Sequence, residues 1–444
     1  MTVLEQMGEW VTAGGTAALP ERVRRRLTTH LLDTVGAWIA GGATEEGQKL
    51  ASLQSIPSHP ISMLGRDPLD RIAVGVAKTR LTEIDDVHMS SCTTPSSVIV
   101  PTAIVIAGQM QRRDTRTFAH ALFAGYEVMT RFGVAIDGPG ILPRGIWPTY
   151  LAAPICAAAV ASYLLGLTPS QTANALGIAL TMTSGAAGKP IGATSRWLLL
   201  GTAARAGVAA SLAAACGYMG DCTLLDGDWM ERAHGIQFNA APLVAPPQED
   251  GAVDALSCKP YCAAKQTIAA IDAFRSLLAQ GVSPQNIVAL RAFVPSAYSG
   301  MIEARDVAES RLARITSAAY HLALAAYRPA ELVNVARPNL AGDPQIASFM
   351  DRVEIIADKS LDPVFPRRWP AGVEVMLKNG LRKMELVLDA TGDPMRSSEL
   401  DLRAKFLTLT DPVIGKSAAA ELAEACLLAT ESDEALAQLC ARIN

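Results

Sequence analysis

The residues best suited to chemistry crowd into one stretch, 81–101, LTEIDDVHMSSCTTPSSVIVP. Glu83, Asp85, Asp86 and His88 fall within six residues, and hydroxyls follow at Ser90, Ser91, Thr93, Thr94, Ser96 and Ser97. Carboxylates and an imidazole can move protons, and hydroxyls can hold a polar substrate. An apolar, helix-like run begins at Val98. The pattern fits a polar site cut into an apolar scaffold. The competing reading is a solvated capping loop, because Ser, Thr and Asp oxygens accept from free N–H groups at helix starts.

The flanking sequence predicts the elements that would position such a site. Pro20 precedes Val23, Leu27, Leu31, Leu32 and Val35 at helical spacing, with arginines on the other face. Further helices are predicted over 71–81, 98–110, 117–137, 150–165, 169–182, 194–218 and 259–280. The helix from 194 is rich in Ala and Gly and carries Arg196 near its start; its small residues permit close helix packing. A glycine-rich passage, 184–192, carries Lys189 but lacks the G-K-[ST] ending of a phosphate loop. Near residue 285 the texture changes. Ile287, Leu290, Ala292 and Val294 suggest a strand, and alternation returns at 353–357, 372–377 and 384–390. Asn379-Gly380 between the last two is a hairpin signal. Helices are expected at 308–327, 340–352 and from 397 onward. The fold class is therefore mainly α: an all-helical domain over 1–280, a smaller α+β lid domain over 285–395, and C-terminal helices over 396–444 returning to the first.

Composition excludes several classes. Of 444 residues, 50 % are hydrophobic and 18 % charged, which is ample for a large core and too apolar for a disordered chain. The net charge of −4 with mixed signs gives no basic footprint for nucleic acid. No unbroken apolar run of about 18 residues predicts a membrane span. The acid in MTVLEQMGEW argues against an export signal. The eight cysteines read as reduced small hydrophobes of a cytoplasmic protein, and Cys258 and Cys262 lack the further ligands of a zinc site.

Six segments, in order, resemble the MmgE/PrpD family, whose activities include 2-methylcitrate dehydratase, cis-aconitate decarboxylase and iminodisuccinate epimerase. They are LPERVRRRLTTHLLDTVGAWIAG, EIDDVH, RWLLLGTAARAGVAASLAAACGYMG, KPYCAAKQTIAAIDA, TSAAYHLALAAY and GDPMRSSELDLRAKF. The resemblance implies a helical domain with an α+β lid, a homodimer, a small-molecule substrate, and no metal or organic cofactor. The departures carry the functional information. Thr94-Pro95-Ser96 stands where the family has His-Pro-Ser, and Trp147-Pro148-Thr149 where it has His-Pro-Thr. Arg196 and Leu199 replace the Lys and His of K-x-L-H, Ile268 replaces another His, and Glu83 and Val87 replace Asp and Thr. Asp85, Asp86, His88, Lys259, Tyr261, Ser317 and Tyr320 remain.

Family reactions take a proton from, or return it to, a carbon beside a carboxylate or carbonyl. They need a base, a cation for the developing enolate, and an acid where the leaving group is poor. Fewer imidazoles disfavour expelling hydroxide and suit a leaving group that needs little protonation. Trp147 and Ile268 imply a drier pocket. Arg196 and Lys259 are expected to hold an anionic group, the former by a bidentate fork. Tyr320 is expected to exchange a proton beside a cation, with His88 as residual imidazole and Asp85 or Asp86 orienting it or acting as base. Thr94, Ser96, Trp147, Glu83, Lys189, Tyr261 and Ile268 are the remaining candidates for lining the substrate. The expectation is a cofactor-independent lyase or isomerase on a small or medium organic acid or carbonyl compound. The alternatives are an aconitate- or 2-methylcitrate-type decarboxylase or dehydratase, and a catalytically silent binding relative.

Overall fold

A computed structural model describes residues 1–13, 19–54, 67–110, 114–183, 194–247 and 251–443. Lys189 and the rest of the glycine-rich passage lie outside them. The chain is mainly helical, with two compact units. The first draws on Met1–Gly188, Thr194–Leu256 and Leu402–Asn444; the second is built on Ser257–Asp401.

The first unit is a helical bundle. The helix Glu21–Gly42 buries Val23, Leu27, Leu31, Leu32 and Val35, as its spacing predicts. Ser96–Gln109 and Pro148–Leu164 are buried on nearly every face, so neither shows an amphipathic stripe. Ser195–Ala215 packs against Pro148–Leu164 and Pro68–Arg80. Two glycines make those crossings close: a Cβ on Gly201 would meet the Ala73 carbonyl oxygen at 2.1 Å, and one on Gly207 the Pro154 oxygen at 2.1 Å. This helix is also, among the described residues, long and apolar enough to cross a membrane, which the search for an unbroken apolar run did not reveal. Its apolar character serves these helix crossings.

The second unit holds a four-stranded sheet in the order Val353–Ala357, Ile287–Val294, Ala371–Leu377, Arg382–Val387. The first pair is parallel and the other two are antiparallel. Ile287 and Leu290 are both buried although three apart, which breaks the two-residue period. A register shift between Ile287 and Ala289 supplies the extra residue, and the strand resumes strict alternation beyond it. Gly380 takes φ 82° between the last two strands, and Asn379 Oδ1 accepts from Leu381 N at 3.0 Å.

Two predicted helices are corrected here. The run 259–280 becomes helical only at Lys265–Ala279, which packs on the sheet within the second unit. The run 308–327 splits into Arg311–Ile315 and Ala318–Tyr327, because Ser317 takes an extended conformation and its Oγ caps Tyr320 N at 3.3 Å. Among the cysteines, Cys216 is exposed and Cys222 half-buried; the other six are buried thiols.

Candidate active site

The acid-rich stretch is not a solvated loop. From Leu81 to Val100 every residue is buried except the half-buried Ser90. Helices of the first unit surround it, and the backbone is forced into unusual shapes. Glu83 and Cys92 adopt φ 55° and 53°, left-handed values that cost a side-chain-bearing residue about 1–2 kcal/mol each. Such strain persists only where surrounding contacts over-determine it.

Those contacts form two charged clusters. In one, Arg80, in the last turn of Pro68–Arg80, places Nη1 2.7 Å from Glu83 Oε2 and 3.2 Å from Asp85 Oδ1. Burial disfavours this cation, but Asp85 and Glu83 outweigh the penalty and hold Arg80 above its ordinary value. In the other, Asp86 accepts from His30 Nδ1 at 2.9 Å, from Ser96 N at 3.2 Å and from Ser96 Oγ. Ser96 Oγ in turn lies 2.6 Å from the Tyr126 hydroxyl. Asp86 therefore caps the Ser96–Gln109 helix through space, so the capping reading holds for this residue, inside a buried site.

Nearby on the same helix as His30, Asp33 pairs with Lys405 at 2.5 Å, and Lys405 also donates to the Ile84 carbonyl at 3.0 Å. Burial raises the Asp33 carboxyl and the charge of Asp86 adds to it, while Lys405 and His30 pull the other way.

His88 Nδ1 lies 2.8 Å from Ser91 Oγ, which lies 2.7 Å from Thr93 Oγ1. Burial pushes the imidazole down to about 4, with Asp86 partly opposing, so it is neutral at pH 7. Its unfolded value is about 6.5, so below that pH the unfolded chain binds the extra proton first. The stability it contributes is complete above about pH 6.5 and is lost as the pH falls toward about 4. Urea unfolding should show His88→Gln losing about 2 kcal/mol less than the parent between about pH 7 and about pH 5. Equal losses would refute the assignment.

Thr94 N donates to Thr149 Oγ1 at 3.0 Å, tying the loop to the start of Pro148–Leu164. At that same start, the Arg196 guanidinium lies over the Trp147 indole, 4.3 Å from its centroid. Arg196 is 8 % exposed. Its Nε and the Trp147 Nε1 are buried without hydrogen-bond partners, and among the described residues no acid pairs with this cation.

The first unit thus brings together Glu83, Asp85, Asp86, His88, Thr94 and Ser96, and separately Trp147 and Arg196. Sequence reasoning missed His30, Asp33, Tyr126 and Lys405. His30 and Asp33, three apart on a helix, share a face. Lys405 sits within the LRAKF segment.

In the second unit, Lys259 is buried. The Tyr320 ring is buried, its hydroxyl has no hydrogen-bond partner among the described residues, and Arg337 lies over it at 5.8 Å from the centroid. Tyr261 is committed to structure: its hydroxyl bonds Asp272 at 3.0 Å and accepts from Arg275 at 2.5 Å. Burial and Asp272 push that phenol up. Ile268 is a fully buried residue of Lys265–Ala279. His321 is held by structure: Nδ1 lies 2.8 Å from Ser317 O and Nε2 3.0 Å from Arg337 Nη2. Burial, then Arg337, hold it down at about 3. The Lys265–Asp393 pair, also buried, went unnoticed in the sequence.

The MmgE/PrpD N-terminal domain matches residues 5–234 and the C-terminal domain matches 261–429. The chain belongs to the MmgE/PrpD family. It is 28 % identical over 231 residues to a cis-aconitate decarboxylase-like protein of Aspergillus oryzae, covering 49 % of this chain and 48 % of the relative. It is 28 % identical over 229 residues to cis-aconitate decarboxylase of Aspergillus terreus, covering 49 % and 46 %. Human cis-aconitate decarboxylase is 26 % identical over 246 residues, covering 51 % and 49 %. The chain spans about half the length of the curated relatives it matches.

Proposed function

We propose that this protein is a lyase, or an isomerase of kindred chemistry, acting on a small or medium organic acid or carbonyl compound. The observation that carries this reading is Arg196, a buried guanidinium stacked on Trp147 with no acid beside it among the described residues. A buried cation is costly unless paired. An anionic substrate would supply the missing partner. Bound there, its carboxylate or carbonyl would spread the charge that develops when a neighbouring C–H is broken.

His88 is the base this reading favours. It is neutral at working pH, and in the tautomer whose Nδ1–H donates to Ser91, Nε2 carries the lone pair and can take a proton. Asp86, bound by three donors, serves as a positioning residue. Lys259 and Tyr320 remain proposed participants. We further propose a cytoplasmic homodimer that works without a cofactor.

A second reading, decarboxylation of an unsaturated polycarboxylate, is favoured by the names of the relatives. Trp147, Leu199 and Ile268 at the family's histidine positions weigh against it. Both readings are tested by incubating the protein in deuterated water with cis-aconitate, 2-methylcitrate and a panel of mono- and dicarboxylates, following product and C–H exchange by NMR. Turnover of cis-aconitate alone would establish the second reading. Tight binding with neither product nor exchange would refute both.

Arg196→Met is expected to raise KM about tenfold to hundredfold, the value of a charge-assisted hydrogen bond. It should leave thermal stability unchanged or raised, because it removes an uncompensated buried charge. A marked loss of stability would instead mark Arg196 as structural.

A further inference from the structure

We propose that a cleft beside Lys78, apart from the buried acidic site, binds a small carboxylate bearing an apolar tail. The cleft has a volume of about 310 Å³ and is walled by Trp38, Ile39, Leu422 and Ile443, with Lys78 and Arg442 as its cations. Arg442 is already neutralised by Glu421. Lys78 makes no side-chain hydrogen bond or ion pair among the described residues. Lysine ammoniums normally snorkel to water or meet an acid, because desolvating them alone is costly. Lys78 is half-buried, and that burial holds its ammonium below the ordinary lysine value.

A cation with no side-chain partner among the described residues, at one side of an apolar cleft, points to a ligand class. A carboxylate would give Lys78 a charge-assisted hydrogen bond. An aliphatic or aryl tail would cover Trp38 and Ile443 and remove apolar surface from water. A di- or triphosphate would find, among the described residues, one cation not already paired, and unfavourable walls. Lys78 and Arg80 are two apart on their helix and do not share a face, so the cleft is distinct from the Arg80–Glu83–Asp85 cluster.

The test is calorimetric titration of the full chain with octanoate, octanol and octylamine. Octanoate should bind saturably and the other two should not compete. Lys78→Met, which keeps the stem and removes the charge, should weaken octanoate about tenfold to hundredfold, and Lys78→Arg should retain it. Turnover at the acidic site should be unchanged in both variants. Absence of saturable binding would overturn the proposal, as would octanoate affinity that Lys78→Met leaves intact. Sedimentation showing a dimer that Lys78→Met disrupts would also overturn it, because a second copy would then occupy the cleft.

Discussion

Asp86→Ala is expected to destabilise the helical unit by about 3–5 kcal/mol, the cost of stripping one partner from a buried charged network. The carboxylate is fully enclosed and serves three donors: His30 Nδ1, Ser96 N and Ser96 Oγ. Alanine would take this acceptor from all three, and the Tyr126 hydroxyl would lose the anchored serine it meets. Each orphaned buried group costs about 1–3 kcal/mol. Asp86→Asn should recover part of the loss, since its carbonyl can accept, but its NH2 would face donors. Denaturant unfolding followed by circular dichroism measures both. A loss below about 1 kcal/mol for the alanine variant would show the network to be dispensable.

The burial that makes Asp86 consequential was hidden from the sequence for a physical reason. Residues 81–97 carry the composition of a surface loop, and composition responds to whether polar groups are satisfied, not to whether water satisfies them. Here the partners come from elsewhere in the chain. Lys405 reaches Asp33 across 372 residues of sequence, and Ser96 meets Tyr126 across 30. No local pattern encodes such pairings. The stretch itself was legible as a polar cluster, because its acids, imidazole and hydroxyls fall together just before an apolar helix. Which of its acids binds cations and which binds hydroxyls was not legible: Asp85 and Asp86 are neighbours, yet one faces Arg80 and the other His30 and Ser96.

The architecture was more accessible, since it rests on periodicity and turn chemistry. Helical spacing identified Glu21–Gly42, and Asn379-Gly380 identified the hairpin. Periodicity failed where a local hydrogen bond competes with it. The Ser317 hydroxyl breaks a helix that propensity would have carried through. Helices buried all round, such as Pro148–Leu164, were found by length and apolar content, because they carry no stripe. Arg196 illustrates the remaining gap. Its sequence position marked it as a cation near a helix start, but its stacking on Trp147, with no acid beside it among the described residues, emerges only when Pro148–Leu164 and Ser195–Ala215 pack together.

Arg80→Met should produce a comparable loss, about 3–5 kcal/mol, by leaving Glu83 and Asp85 as buried carboxylates without their shared guanidinium. The sign of its pH dependence identifies the cause. Protonating either carboxylate removes stranded charge, so the deficit relative to the parent should shrink as the pH falls toward about 4. A deficit independent of pH would point to lost packing by the arginine stem. Combining Arg80→Met with Glu83→Gln and Asp85→Asn removes the stranded charges, and the folded state should regain much of its stability, since neutral replacements for buried ion groups are often tolerated. Turnover should not return. Glu83 already holds a left-handed backbone, and its side chain reaches back to Arg80 across three residues, so the cluster fixes the shape of the loop that carries Asp86 and His88. A triple variant that is stable yet inactive would mean that the chain retains these buried charges to shape its site. A triple variant that is stable and fully active would remove the cluster from the mechanism and leave Arg196 and His88 to carry it.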